Sequence, residues 1–177
     1  MLGNTEDSGI QNFEFLLQVY SMQNHDAKLL VRAFVTYVQP ILECNTVIWS
    51  PCTARDIDSI ECVQRRFTKS LCGYSHFSNS KRLSCLKLKS LEYRRLIADL
   101  LWCHKIVYNV VDISIDELFC FSTCTYTRGH AYKLCKSRPL ISIEKNYFSE
   151  RVVSVWNALL ANVVDFTSLP IDFKALF

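Results

Sequence analysis

At 177 residues the chain has room for one domain, or one domain with an appendage, and none for a large multidomain enzyme. Half the residues are hydrophobic, 12% are aromatic and 21% charged, which suits a globular chain that buries about two-thirds of its surface on folding and excludes general disorder. The net charge of +3 conceals a segregation: residues 1–63 carry three Lys/Arg against eight Asp/Glu, residues 64–151 sixteen against seven, and residues 152–177 one against two.

Only four Gly and four Pro disfavour a turn-rich all-β chain and a Gly-rich phosphate cradle. The expected fold is mainly α, an irregular helical domain spanning 27–177 with a short β-hairpin or loop insertion around 125–144. Residues 1–26, polar and then apolar from Phe13 to Tyr20 without clear caps, read as a weakly structured extension. From Ala27, Leu30, Phe34, Val38, Ile41 and Leu42 recur at helical spacing, and Pro40 is expected to kink or end that helix. A loop with Trp49 and Pro51 follows.

The next helix is the best signposted. Thr53 with Asp56 resembles a capping box, Ile57, Ile60, Val63, Phe67 and Leu71 form one stripe, and Gly73 is placed to stop it. Acids (Asp56, Asp58, Glu61) fill its first half and bases (Arg65, Arg66, Lys69) its last, which complements the helix dipole; Glu61 with Arg65 is a favourable i,i+4 pair. Asn79 or Ser80 starts a short helix through Leu83 and Leu86, and Ser90 caps a longer one from Leu91 to about Asn109. On that helix Leu96, Leu100, Cys103 and Val107 share one face and Ile97, Leu101, His104 and Tyr108 its neighbour, with Trp102 and Ile106 nearer the basic side. Ser114 and Glu117 form another capping-box pair before a single helical turn. Residues 120–144, with Arg128-Gly129 and Pro139, read as loop and short strands. Helix returns over Ser149–Leu160, where Phe148, Val152, Trp156 and Leu159 repeat, and a last short helix is expected from Ser168.

The longest run without a charged residue is the thirteen from Val152 to Val164, short of a membrane span of about 18 apolar residues. Met1 to Gly9 lacks the basic and apolar parts of a secretory signal. The expectation is therefore an intracellular protein, cytoplasmic or nuclear, without membrane contact, in which most of the nine cysteines are reduced, core-filling thiols.

One spacing could hold zinc: Cys120, Cys124, His130 and Cys135 place four ligand types within sixteen residues. It departs from the usual knuckle spacing in two gaps, and the other six cysteines lie elsewhere in the chain, so no metal or other cofactor is expected. Two-metal nucleotidyl transfer needs converging carboxylates, yet the only adjacent acids are Glu6-Asp7 at the terminus and Asp116-Glu117 in a helix's first turn, and Asp56 and Asp58 diverge on theirs. The chain reads as non-catalytic. His104 sits among apolar residues as an interior histidine, and His25 and His76 have no partner pattern. Arg65, Arg66 and Lys69 share the face opposite their helix's apolar stripe, and Arg94 shares a face with Lys105 near Trp102. A basic face carrying an aromatic can grip phosphates and stack on a base, although most such faces are merely solvated.

Five segments in order, VQPILECNTVIWSP (Val38–Pro51), IDSIECVQRRFTKSLCG (Ile57–Gly73), LKLKSLEYRRLIADL (Leu86–Leu100), TRGHAYKL (Thr127–Leu134) and KNYFSERVVSVWNALL (Lys145–Leu160), resemble the region after the polymerase core in non-LTR, jockey-like retrotransposon reverse transcriptases. The resemblance covers residues 27–177. It implies a fragment of an RNA-directed DNA polymerase holding the thumb-like part, without the upstream catalytic Asp pair. Nucleic-acid contact then falls on Arg65, Arg66, Lys69, Arg94, Arg95, Lys105 and Arg128, within QRR, LEYRR and TRGH and beside them, while Trp49, Tyr93 and Trp156 read as core. The implied partners are RNA or DNA, bound weakly and salt-dependently, and an intact polymerase core; apolar surface left bare without that core would self-associate. The family's TRGH does not depend on neighbouring cysteines, which weakens the zinc reading. A helical protein-interaction remnant or non-functional fragment, and a zinc-knuckle-like module, are the alternatives.

Overall fold

A computed structural model of the chain describes residues 26–122, 130–137 and 144–164. It is mainly helical, in agreement with the composition and periodicity. Among the described residues no strand forms; a single antiparallel bridge pairs Phe121 with Leu134. Residues 1–25 of the expected N-terminal extension, most of the 125–144 insertion outside 130–137, and the expected helix from Ser168 lie outside the described residues. Two compact units are present, one holding the described residues to Thr46 together with Pro51–Arg95, the other Val47–Ser50 together with the described residues from Leu96.

In the first unit α1 (Ala27–Ala33) is capped by Asp26, whose carboxylate accepts from the Lys28 N–H at 2.9 Å. The helix does not stop ahead of Pro40. It widens into a π-helical stretch (Phe34–Val38) and continues as α2 (Gln39–Leu42). The proline ring has no N–H and crowds the carbonyl four residues back; in the wider register the Gln39 N–H reaches Phe34 O instead. α3 (Ala54–Ser70) begins at Thr53, whose Oγ1 accepts from the Asp56 N–H at 3.1 Å. Ile60, Val63, Phe67 and Leu71 are buried as the stripe predicts, with Ile57 half-buried. Phe67 stacks on Phe34 with ring centroids 4.3 Å apart, and Val38, Val63 and Leu71 complete the cluster. Each such fully buried side chain contributes about 1.5–3 kcal/mol. Gly73 follows the helix at φ +84°, a left-handed conformation that glycine adopts without strain. α4 (Asn79–Leu86) is capped by Ser78 and buries Arg82, which donates to Thr68 Oγ1, Phe77 O and Asn79 Oδ1.

α5 (Leu91–Val107) starts where Ser90 Oγ accepts from the Tyr93 N–H at 3.2 Å, and it supplies residues to both units. In the second unit its Ile97, Leu100, Cys103 and Ile106 are buried, as are Phe119, Leu134, Val152, Val153, Trp156 and Val164. Ile106 thus joins the core, whereas the sequence pattern set it on the basic side; Trp102 alone of that pair is exposed. The remaining elements are α6 (Ile115–Leu118), a 3-10 turn (Glu144–Asn146), α7 (Phe148–Ala158) and α8 (Ala161–Val164). Ser114 precedes α6 as expected but makes no side-chain cap. Arg151 of α7 forks onto Asp99 with two 2.8 Å contacts. Asn157 clasps Leu134 from the other side, accepting its N–H at 2.9 Å and donating to its carbonyl at 2.8 Å.

Candidate nucleic-acid interface

The basic middle of the chain supplies less free positive surface than its charge count implies, because five of its arginines are engaged internally. Arg82 is buried. Arg94 forks onto the Glu43 carboxylate, with Nη2 donating to Oε2 at 3.0 Å, and Gln39 Nε2 donates to the same carboxylate. Arg95 is 5% exposed and donates through Nη2 to Leu42 O at 3.3 Å; burial lowers its guanidinium pKa against the pull of Glu61, Glu43 and Glu92. Arg151 serves Asp99, Val47 O and Asn146 O. Arg65 pairs with Asp58 at 2.7 Å, and that hydrogen bond raises its pKa.

The i,i+4 pairing of Arg65 with Glu61 is therefore replaced. Arg65 reaches two turns back to Asp58, while Glu61 Oε1 accepts the Glu92 N–H at 2.8 Å and caps the start of α5. An orphan N–H at a helix start is a stronger claimant on a carboxylate than an exposed lysine or arginine in water.

The two LEYRR arginines are engaged in a similar way. Arg95 is sealed in the interior, and Arg94 is neutralised by Glu43, so neither presents a free charge to a phosphate. Arg128 lies outside the described residues. Of the expected contact residues, Arg66 and Lys69 are exposed one turn apart on α3 in the first unit, Arg65 beside them is partly exposed in its pair with Asp58, and Lys105 is exposed in the second unit. Neither Arg66 nor Lys69 has an ion pair among the described residues. Lys105 Nζ sits 5.1 Å from the ring centroid of Trp102, itself 37% exposed. One turn away, His104 stacks on Tyr108 at 4.8 Å; its burial and the Lys105 charge hold its pKa down at about 4, so it is neutral at pH 7. A neutral, half-buried histidine agrees with the interior reading of this residue.

Sequence reasoning did not anticipate a cleft of about 370 Å³ in the second unit, lined by Lys136, Lys145, Glu150, Arg151 and Ser154. Lys136 Nζ donates to Ser154 Oγ at 2.7 Å. Its residues come from three chain segments with no common periodicity, so no sequence signal joins them.

Among the described residues no three His, Cys, Asp or Glu side chains converge on a metal position, and His130 turns inward, 6% exposed, with Nε2 3.0 Å from Trp156 O. Against a carbonyl that nitrogen must carry the proton, which leaves the lone pair on Nδ1. Cys124 lies outside the described residues. Trp156 is buried, but Trp49 and Tyr93 are only half-buried.

Comparison with known proteins finds no matching family profile, no similar curated protein and no similar solved structure.

Proposed function

We propose that this chain is a non-catalytic helical fragment of reverse-transcriptase origin that binds single-stranded RNA or DNA through backbone charge and base stacking, without strong sequence choice. The origin rests on the five ordered motifs of the sequence. The single structural observation that supports binding is the exposed Trp102 ring with the Lys105 ammonium over it, an aromatic platform and a cation on one turn of helix. Such a pair can stack a base and neutralise the adjoining phosphate. Arg66 and Lys69 are further exposed cations, in the first unit, and Arg94 and Arg95 are engaged within the chain.

Anisotropy of a labelled single-stranded oligonucleotide tests this on the full chain. For each phosphate contacted, binding should weaken about two- to threefold between roughly 50 and 200 mM salt. Lys105→Ala or Lys69→Ala should each reduce the magnitude of the logarithmic salt slope by about 0.7. Trp102→Ala should cost about 1–3 kcal/mol with little change of slope. Lys28→Ala, in the acidic end of the chain, should leave both unchanged. Absence of binding at low salt, or retention of affinity and slope in the Arg66→Ala/Lys69→Ala/Lys105→Ala variant, would refute the reading.

A second reading, interaction with protein or with another copy of the chain, draws on Leu29, Val35 and Tyr37, all exposed along α1 and the π stretch. A scattering mass twice the monomer's 20.5 kDa would favour it.

A further inference from the structure

Cys120 and Cys135 face each other across the antiparallel bridge. Two hydrogen bonds fix the register: the Cys135 N–H donates to Cys120 O at 2.7 Å, and the Ser122 N–H donates to Lys133 O at 2.8 Å, one on each side of the Phe121/Leu134 pair. That pattern makes Phe121/Leu134 the non-hydrogen-bonded pair and sets Cys120 opposite Cys135 at the next, hydrogen-bonding position, joined by one of its two possible bonds, with Cys135 Sγ 3.5 Å from Phe121 O. Residues directly opposite share a face, and successive residues alternate faces. Both cysteines are exposed, while Leu134 between them and the core is 1% exposed. The Asn157 amide holds Leu134 at both backbone groups, so the register is anchored to α7.

A hydrogen-bonded pair stands about 5.5 Å apart at Cα, inside the roughly 4.4–6.8 Å that a disulfide spans. Its Cβ atoms lie near the wide end of about 4.5–5.5 Å, beyond the roughly 3.5–4.5 Å of a relaxed disulfide. A bond here can form, but it must draw the two arms together. Exposed disulfides under such tension are the readily reduced, reversible ones.

We propose that Cys120 and Cys135 are a cross-strand dithiol that opens and closes by exchange with low-molecular-weight disulfides. One cysteine, as thiolate, attacks a sulfur of R–S–S–R; an S–S bond forms on the protein and R–S⁻ leaves. The second thiolate then attacks the protein sulfur of that mixed disulfide, forming the Cys120–Cys135 bond and expelling the second R–S⁻. The two protons released by the protein thiols convert both leaving groups to R–SH. The protein loses two electrons and the small disulfide gains them. This inference uses the part of the cysteine spacing that the metal reading left over, and it is independent of nucleic-acid binding.

The test equilibrates the full folded chain in mixtures of oxidised and reduced glutathione, blocks free thiols by alkylation, and maps cross-links by peptide mass spectrometry. The expected product joins the tryptic peptide Leu134–Lys136 to the peptide containing Cys120, with fragment ions placing the link on Cys120 and not Cys124. It should exceed any other cysteine pair about tenfold and disappear on return to reduced glutathione. In Cys124→Ser the same link should persist, and in Cys120→Ser the reaction should stall with glutathione on Cys135. A link from Cys135 chiefly to Cys124, or cross-links spread evenly over the exposed cysteines, would overturn the proposal. So would a glutathione adduct that stays on Cys135 in the unsubstituted chain.

Discussion

Arg151 gives each of its three guanidinium nitrogens a fixed acceptor, and the Asp99 it faces is 5% exposed. A buried pair of this kind contributes little over an apolar replacement of the same shape, but losing one partner strands a charge in the interior. Asp99→Ala should therefore lower unfolding free energy by about 3–5 kcal/mol in urea titration, with Arg151 left without the carboxylate it forks onto. His104 makes a second, pH-dependent contribution. Its folded pKa of about 4 lies below its unfolded value, so the unfolded chain binds the proton first and stability falls as pH drops from about 6.5 toward 4. Discounted for a half-buried ring, the loss is about 2 kcal/mol. Thermal melts at pH 7 and pH 4.5 should show that decrease, and His104→Gln should remove its share. Burial, with Asp99 near, pushes the neighbouring Cys103 thiol up to about 12, which leaves it a packing group, unlike the exposed pair Cys120 and Cys135.

At the level of elements, the starts of helices follow from short-range chemistry. Thr53, Ser78 and Ser90 each place a hydroxyl where an unpaired N–H needs one. Thr53→Ala should cost about 1 kcal/mol, seen as a lower urea midpoint with an unchanged m-value. The Thr53 and Ser90 starts were legible because a cap involves residues three apart and nothing else; the short helix, expected to start from Asn79 or Ser80, is capped by Ser78 instead. The π stretch before Pro40 was half legible: the residue sequence marks where the α pattern must fail, yet the helix could stop, bend or widen there. Packing of Phe34 on Phe67 and of Val38 in the same cluster favours the course in which the chain stays helical and both side chains remain inside.

Across the whole molecule the charge segregation in the sequence overstates the available surface charge. Sixteen basic residues lie in residues 64–151, and Arg65, Arg82, Arg94, Arg95 and Arg151 among them are tied to acceptors elsewhere in their own unit. No helix among the described residues is long and apolar enough to cross a membrane. Helical class, the α3 stripe, the Thr53 and Ser90 caps and the inward aspect of Trp156 come from the amino-acid order alone, because a 3.6-residue period and a capping hydroxyl act within a few residues. Which arginine points outward came only with the tertiary structure. Arg94 and Arg95 look alike in sequence, but their partners Glu43 and Leu42 O stand more than fifty residues away, and a long aliphatic stem can be buried wherever a distant acceptor meets its charged end. The facing of Cys120 and Cys135 was equally hidden, since a strand register is set by hydrogen bonds between segments that local order does not encode.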